Sequence, residues 1–118
     1  MSDSIRSFLP PTSQINPAKW TYDKLVQQIV EFESELTGDE EIGGRIVGTP
    51  GPEGFFHIED LGYVGPHMII FYGSNSHGKA VELIQHWTQL SVMLTALPKE
   101  GDKPRRIGFE LAKTTTED

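Results

Sequence analysis

Residues 68–97, MIIFYGSNSHGKAVELIQHWTQLSVMLTAL, join an apolar run, a glycine-bounded polar loop and a long amphipathic segment. The run MIIFY is rich in β-branched and aromatic residues, which is typical of a strand. After the loop, large apolar residues recur at helical spacing, and this stripe predicts the main helix of the chain. The stripe consists of Leu83, Trp87, Leu90, Leu94 and Leu97. Asn75 or Ser76 would cap this helix, and Pro98 would end it.

Another helix is predicted nearer the N-terminus. Asn16 followed by Pro17 indicates a helix start, because Asn caps free backbone amides and Pro fits the first helical position. Apolar residues then recur at spacings of three and four as far as Gly38, where a helix can end. This second stripe consists of Tyr22, Leu25, Ile29, Phe32 and Leu36.

Three short strands are predicted between the two helices, over residues 42–47, 55–61 and 67–72. Turns rich in Gly and Pro separate them, so the strands form an antiparallel meander. Alternation of apolar and polar residues over 105–111 predicts a fourth strand. The predicted order is therefore α-β-β-β-α-β. We expect a two-layer α+β domain with both helices on one face of the sheet.

The third predicted strand is apolar on both of its faces. Met68, Ile70 and Tyr72 alternate with Ile69 and Phe71. Two helices on one face of the sheet would cover only one of these sets. We interpret Ile69 and Phe71 as the second face, which is either shielded by other residues of the sheet or buried in a homodimer.

Length and composition predict one globular domain. The chain has 118 residues, of which 36% are hydrophobic and 23% charged, and these values are ordinary for a single domain. We expect the domain to span residues 16–111, between a flexible arm at 1–15 and a disordered tail at 112–118. The chain has no cysteine, which excludes disulfides, thiolate catalysis and cysteine-ligated metals.

The net charge of −7 at pH 7 lies mainly in residues 1–60. An acidic domain repels nucleic-acid phosphates and anionic membrane surfaces, so neither is expected as a partner. No apolar run reaches the roughly 18 residues of a membrane span. The N-terminus lacks the basic start and apolar block of a signal peptide. We therefore expect a cytoplasmic location.

The loop at 73–79 fits the pattern Gly-x-x-x-x-Gly-Lys, which is a phosphate loop without its final Ser or Thr. Ala80 stands where the magnesium-binding hydroxyl belongs, and a meander strand precedes the loop, so nucleotide hydrolysis is not predicted. The N-terminus of the predicted second helix could still bind an anion. The alternative is a plain strand-to-helix loop. The candidate anion ligands are Gly73, Ser76, His77, Gly78 and Lys79.

A metal site is the second candidate. His57 and Glu59 are two residues apart on one predicted strand, so they share a face. If the next hairpin turns near Val64, His67 lies opposite Glu59, and the three side chains could hold zinc. Surface histidines are the simpler explanation. The sequence contains no Ser/His/Asp set or carboxylate pair at a spacing typical of a catalytic site. No cofactor is expected, and an enzymatic role stays open.

The segments WTYDKLVQQIVEFESEL, EIGGRIV, LIQHWTQL and RRIGFEL together resemble an uncharacterised bacterial family of small proteins. The resemblance covers about residues 16–111. It implies a bacterial cytoplasmic protein, and it supplies no activity, cofactor or catalytic residue. The sequence therefore favours a non-enzymatic interaction or regulatory module that forms a homodimer or binds another protein. The alternative is a small-ligand or anion-binding domain that uses the loop at 73–79.

Overall fold

A computed structural model describes residues 15–113 of the chain. It is an α+β domain in which a five-stranded antiparallel sheet packs with two helices. The elements are α1 Pro17–Ser34, β1 Glu40–Ile46, β2 Phe55–Val64, β3 Met68–Asn75, β4 Ala80–His86, β5 Val92–Pro98 and α2 Gly108–Ala112. The arm and tail predicted at 1–15 and 112–118 lie outside the described residues, apart from Ile15, Ala112 and Lys113.

The predicted start of α1 is confirmed. The Asn16 side chain accepts a hydrogen bond from Lys19 N at 3.1 Å, and Pro17 occupies the first helical position. The helix ends at Ser34, earlier than Gly38, where the sequence predicts its end. Its buried apolar side consists of Ala18, Tyr22, Val26 and Ile29. Among residues 15–113, no helix is long and apolar enough to cross a bilayer.

The predicted meander is confirmed, because β1 pairs with β2 and β2 with β3, all antiparallel. A β-bulge interrupts β2 between Ile58 and Asp60. An extra residue at a bulge changes the phase of the side-chain alternation. As a result Ile58 and Leu61, three positions apart, are both buried in the core against α1.

The long second helix predicted over 80–97 is wrong. This segment forms β4 and β5, separated by a 3-10 turn at Trp87–Gln89. A second, strand-like alternation is present in the same segment, since Val81 and Leu83 share one side of β4, and Val92 and Leu94 share one side of β5. Leu97 of the predicted stripe lies on the opposite side of β5 from Leu94. Tertiary pairing therefore selects the strand alternation over the helical stripe.

The fourth strand predicted over 105–111 is also wrong. The chain runs irregularly after β5 and then forms α2, which packs against α1. Ile107 and Leu111 are buried and Phe109 is exposed. In a helix, Ile107 and Leu111 are four apart and share a face that excludes Phe109. In a strand, all three side chains would lie on the same face.

The structure reverses the two faces of β3. Ile69 and Phe71 are buried in the core with α1, which corrects the prediction that they form an exposed interface. Met68, Ile70 and Tyr72 point to the opposite side of the sheet. The strand is apolar on both sides, as predicted, but the set that α1 leaves uncovered is the other one.

The sheet is strongly curled, as the connection between its two edge strands shows. The strand order is β4-β3-β2-β1-β5, yet only residues 87–91 join β4 to β5. His86 pairs at one end of the sheet and Val92 at the other. A flat five-stranded sheet would separate them by about 35 Å, whereas an extended connection of this length spans about 20 Å. Curling brings Ser91 N to within 3.2 Å of the Gln85 side-chain oxygen.

Candidate functional site

The candidate anion loop is a tight hairpin turn between β3 and β4. The Asn75 side-chain oxygen accepts hydrogen bonds from His77 N at 2.9 Å and from Lys79 N at 3.0 Å. The Asn75 carbonyl accepts from Gly78 N at 2.9 Å. Three backbone donors of the loop are therefore used within the turn itself.

The elements that an anion site would need are absent from this turn. A strand follows Lys79 instead of a helix, so no helix terminus directs free amides at the loop. Ser76, His77, Gly78 and Lys79 come together in the exposed turn, whereas Gly73 is buried in β3. A Cβ atom on Gly73 would overlap the backbone oxygen of His57. The close approach of the two strands explains this glycine.

The three residues of the predicted zinc site do not come together. Val64 pairs with Met68, so His67 lies in the β2–β3 turn and not opposite Glu59. The His67 ring stacks on the ring of His86, with centroids 5.3 Å apart. His57 lies near the other end of β2 and joins a different group of charged side chains.

That group, the Arg105 cluster, consists of Glu41, His57, Glu59, Glu100 and Arg105. Glu41 is its buried centre, with 2% of its surface exposed. Arg105 donates to Glu41 from its backbone N at 2.9 Å and from Nη1 at 3.2 Å. The same guanidinium lies 3.4 Å from Glu100 and 3.8 Å from Glu59. The cluster therefore fastens the segment after β5 to the start of β1.

Part of this cluster has the composition of a metal site. One ligand atom each from Glu41, His57 and Glu100 lie within 4.8 Å of one another. The Arg105 guanidinium contacts both carboxylates, so a fixed positive charge already stands where a cation would bind. His57 Nε2 lies 3.0 Å from the Pro98 carbonyl, which engages one of its two nitrogens. The arrangement fits a structural ion-pair network better than a metal centre.

We expect zinc to leave the thermal stability of the untagged protein unchanged, because Arg105 occupies the position of the cation. A ligand of the folded state present at 100 times its Kd would stabilise the protein by about 2.7 kcal/mol. Thermal unfolding with and without zinc chloride measures this. Arg105→Ala is the matched variant, since it removes the competing charge and retains Glu41, His57 and Glu100. Clear zinc stabilisation of the unaltered protein would contradict this assignment.

The cavities in the described part of the chain are small. One, of about 150 Å³, lies inside the curl of the sheet, and another, of about 190 Å³, lies beside His57 and Leu97. Sites for drug-sized molecules and cofactors usually occupy about 300–1,000 Å³. These volumes do not suit a ligand of that class.

The side of the sheet opposite α1 carries the main apolar surface. We call this the open face; its residues are Val64, Met68, Ile70, Tyr72 and Ile84. Val64 is 57% exposed and Ile84 is 53% exposed. The Tyr72 ring lies across Gly62, where a Cβ atom would stand 3.1 Å from the ring. The five residues lie on three adjacent strands, and Ile70 at their centre is 8% exposed. The exposed carboxylates of Asp60 and Glu82 lie on the same face, one on each side of Tyr72.

Strand β4 borders the open face and has an unpaired outer edge within residues 15–113. Asn75 N donates to Lys79 O, and Trp87 N donates to His67 O, both across the β3–β4 pair. Backbone groups of successive residues in an antiparallel strand point in alternate directions. The residues that direct their N–H and C=O groups outward are therefore Ala80, Glu82, Ile84 and His86.

The sequence reveals these features only in part. The doubly apolar third strand indicates an uncovered face, but not which set of residues forms it. The Arg105 cluster joins residues up to 64 positions apart, and no local pattern connects them. Comparison of the chain with protein-family models, curated proteins and solved structures found no match. Membership in an uncharacterised bacterial family therefore stays a prediction.

Proposed function

We propose that this domain is a non-enzymatic protein-interaction module that associates with a second copy of itself through the open face. The observation that carries the proposal is the exposure of Val64 and Ile84, which flank the apolar residues Met68 and Ile70 of β3 on the side of the sheet opposite α1. Contiguous apolar patches on a folded monomer usually mark interaction sites. A surface used by two identical copies is self-complementary about a two-fold axis.

The other candidate sites support binding over catalysis. The charged groups of the Arg105 cluster are engaged with one another. The cavities are small, and the loop at 73–79 uses three of its backbone donors internally. Catalytic groups generally stand in a cleft large enough for a substrate.

The acidic net charge opposes association, and salt should weaken this opposition. A charge of −7 favours separate molecules through mutual repulsion. Asp60 and Glu82 border the five residues of the open face, so contact between two copies also brings carboxylates close to the interface. Salt screens repulsion over distances of about 8 Å at physiological ionic strength, and we therefore expect association to strengthen as salt rises.

We expect sedimentation velocity and light scattering to show a dimer. Ile84→Lys should shift this protein toward the monomer, because it places a charge on the part of the open face that lies in the edge strand β4, and leaves the core intact. Val47→Lys is the matched control, since Val47 is 54% exposed and follows β1, outside the open face. A monomer at all concentrations tested, or equal effects of the two substitutions, would refute the proposal.

A further inference from the structure

We infer that the second copy pairs with β4 edge to edge, in antiparallel orientation, with Ile84 on the two-fold axis. This inference rests on the proposed function, because its central residue, Ile84, is the part of the open face that lies in the edge strand. The two sheets would continue into each other, and the two open faces would join side by side into one surface, in contact only through β4.

The backbone of β4 supplies the bonds for this pairing. Ala80, Glu82, Ile84 and His86 direct their N–H and C=O groups away from β3, as the β3–β4 hydrogen bonds establish. With Ile84 on the axis, it exchanges two hydrogen bonds with the partner's Ile84. The backbone of Glu82 exchanges two hydrogen bonds with the partner's His86. By symmetry, the backbone of His86 does the same with the partner's Glu82. A row of donors and acceptors that has no partner strand within residues 15–113 is thereby satisfied.

Side-chain charges select this register from its neighbours. An axis at Ile84 places two isoleucines opposite each other, and places Glu82 opposite the partner's His86 on the same face. An axis at Glu82 would oppose two carboxylates, which destabilises a strand pair. An axis at Leu83 would place the Glu82 carboxylate against the partner's Ile84. Only the Ile84 register joins both the apolar and the polar positions to suitable partners.

The His86 ring keeps one nitrogen for this contact. Its Nδ1 accepts a hydrogen bond from Thr88 N at 3.2 Å, so in the neutral ring the proton resides on Nε2. The ring is stacked on His67, which fixes its plane. Nε2–H is therefore left to donate to a carboxylate.

Glu82 completes the pair from the other copy. It is exposed, and within residues 15–113 it has no ion-pair partner. Glu82 and His86 of one chain lie about 13 Å apart along the strand, too far to meet. In the antiparallel dimer, Glu82 of each copy lies opposite His86 of the other copy.

The other edge strand, β5, is less suited to this role. Its last residue, Pro98, has no N–H to donate, and the strand has no charged residue that would fix a register. The side chain of Met93 in β5 is 54% exposed, against 53% for Ile84 in β4. Met93 therefore provides a control of equal accessibility on the opposite edge.

Single cysteine variants test the register directly, because the natural chain has no cysteine. Directly opposed residues that exchange backbone bonds have Cα atoms about 5.5 Å apart, within the range of about 4.4–6.8 Å that a disulfide spans. We expect Ile84→Cys to form a disulfide-linked dimer on mild oxidation, seen on a non-reducing gel and reversed by reductant. Met93→Cys should stay monomeric on the same gel.

Charge variants test the polar pair. Glu82→Lys should raise the dimer Kd about tenfold, because it affects two symmetric contacts. Exchanging the charges with Glu82→Lys and His86→Glu should restore the original Kd. A Kd unchanged by Glu82→Lys, or a double variant no better than the single one, would overturn the register.

The outcomes separate this inference from the proposed function. Disulfide formation by Met93→Cys but not by Ile84→Cys would overturn the β4 pairing in favour of β5. A dimer in solution that neither variant traps would overturn the edge pairing while the open-face interaction stands. A monomer in solution would overturn both.

Discussion

Replacing Phe71 by alanine should lower the free energy of unfolding by about 3–5 kcal/mol, the usual cost of deleting a buried aromatic side chain. Phe71 is 2% exposed and lies in the core with Ile29 and Ile58. Its cross-strand neighbours are Leu61 in β2 and Leu83 in β4. A cavity at this position would weaken the packing of α1 on the sheet, and denaturant unfolding followed by circular dichroism measures the effect.

Phe109→Ala is the matched control, because it deletes the same atoms from a side chain that is 71% exposed. We expect its effect to stay within about 0.5 kcal/mol, as for most surface substitutions. Phe71→Leu retains apolar bulk and should cost less than about 1.5 kcal/mol if the alanine variant is too unstable to measure. The two alanine variants could instead lose equal free energy of unfolding, with only Phe71→Ala losing the dimer. That result would place Phe71 in an interface between copies and not in the core.

The elements that the sequence predicts correctly depend on local signals. Asn16 and Pro17 define the start of α1 through capping and a fixed φ angle, both within one helical turn. The glycine- and proline-rich turns separate the first three strands in the same local way. Neither signal depends on a residue distant in the sequence, so the order of these elements can be predicted.

The segment from 80 to 97 depends on distant pairing instead. Strand β5 pairs with β1, where Leu94 lies opposite Gly44. A helical stripe of leucines and a strand-like alternation of Val81 with Leu83 and Val92 with Leu94 coexist in this segment, so the local signal is ambiguous. The identity of the uncovered face is equally non-local, since it depends on the packing of α1 and on the bulge in β2. The Arg105 cluster could not be predicted, because its members meet only after β5 has paired.

Replacing Glu33 by alanine should cost about 2–4 kcal/mol, because a carboxylate that bonds two buried amides would be lost. Glu33 lies in the last turn of α1 and is only 8% exposed. Its two oxygens accept from Ile107 N at 2.9 Å and from Gly108 N at 2.8 Å. Hydrogen bonds to a charged group are stronger than neutral ones. One side chain thus caps α2 and holds the C-terminal segment against α1.

Glu35→Ala is the control, since Glu35 is an exposed glutamate at the same end of α1. We expect its effect to stay within about 0.5 kcal/mol, measured by denaturant unfolding. Glu33→Gln keeps one carbonyl acceptor and should fall between the two, because only one of the amides loses its partner. Hydrogen exchange gives an independent measure, in which the Ile107 and Gly108 amides should lose protection in Glu33→Ala. If both amides remain protected there, another group must bind them, and Glu33 is not what holds α2 in place.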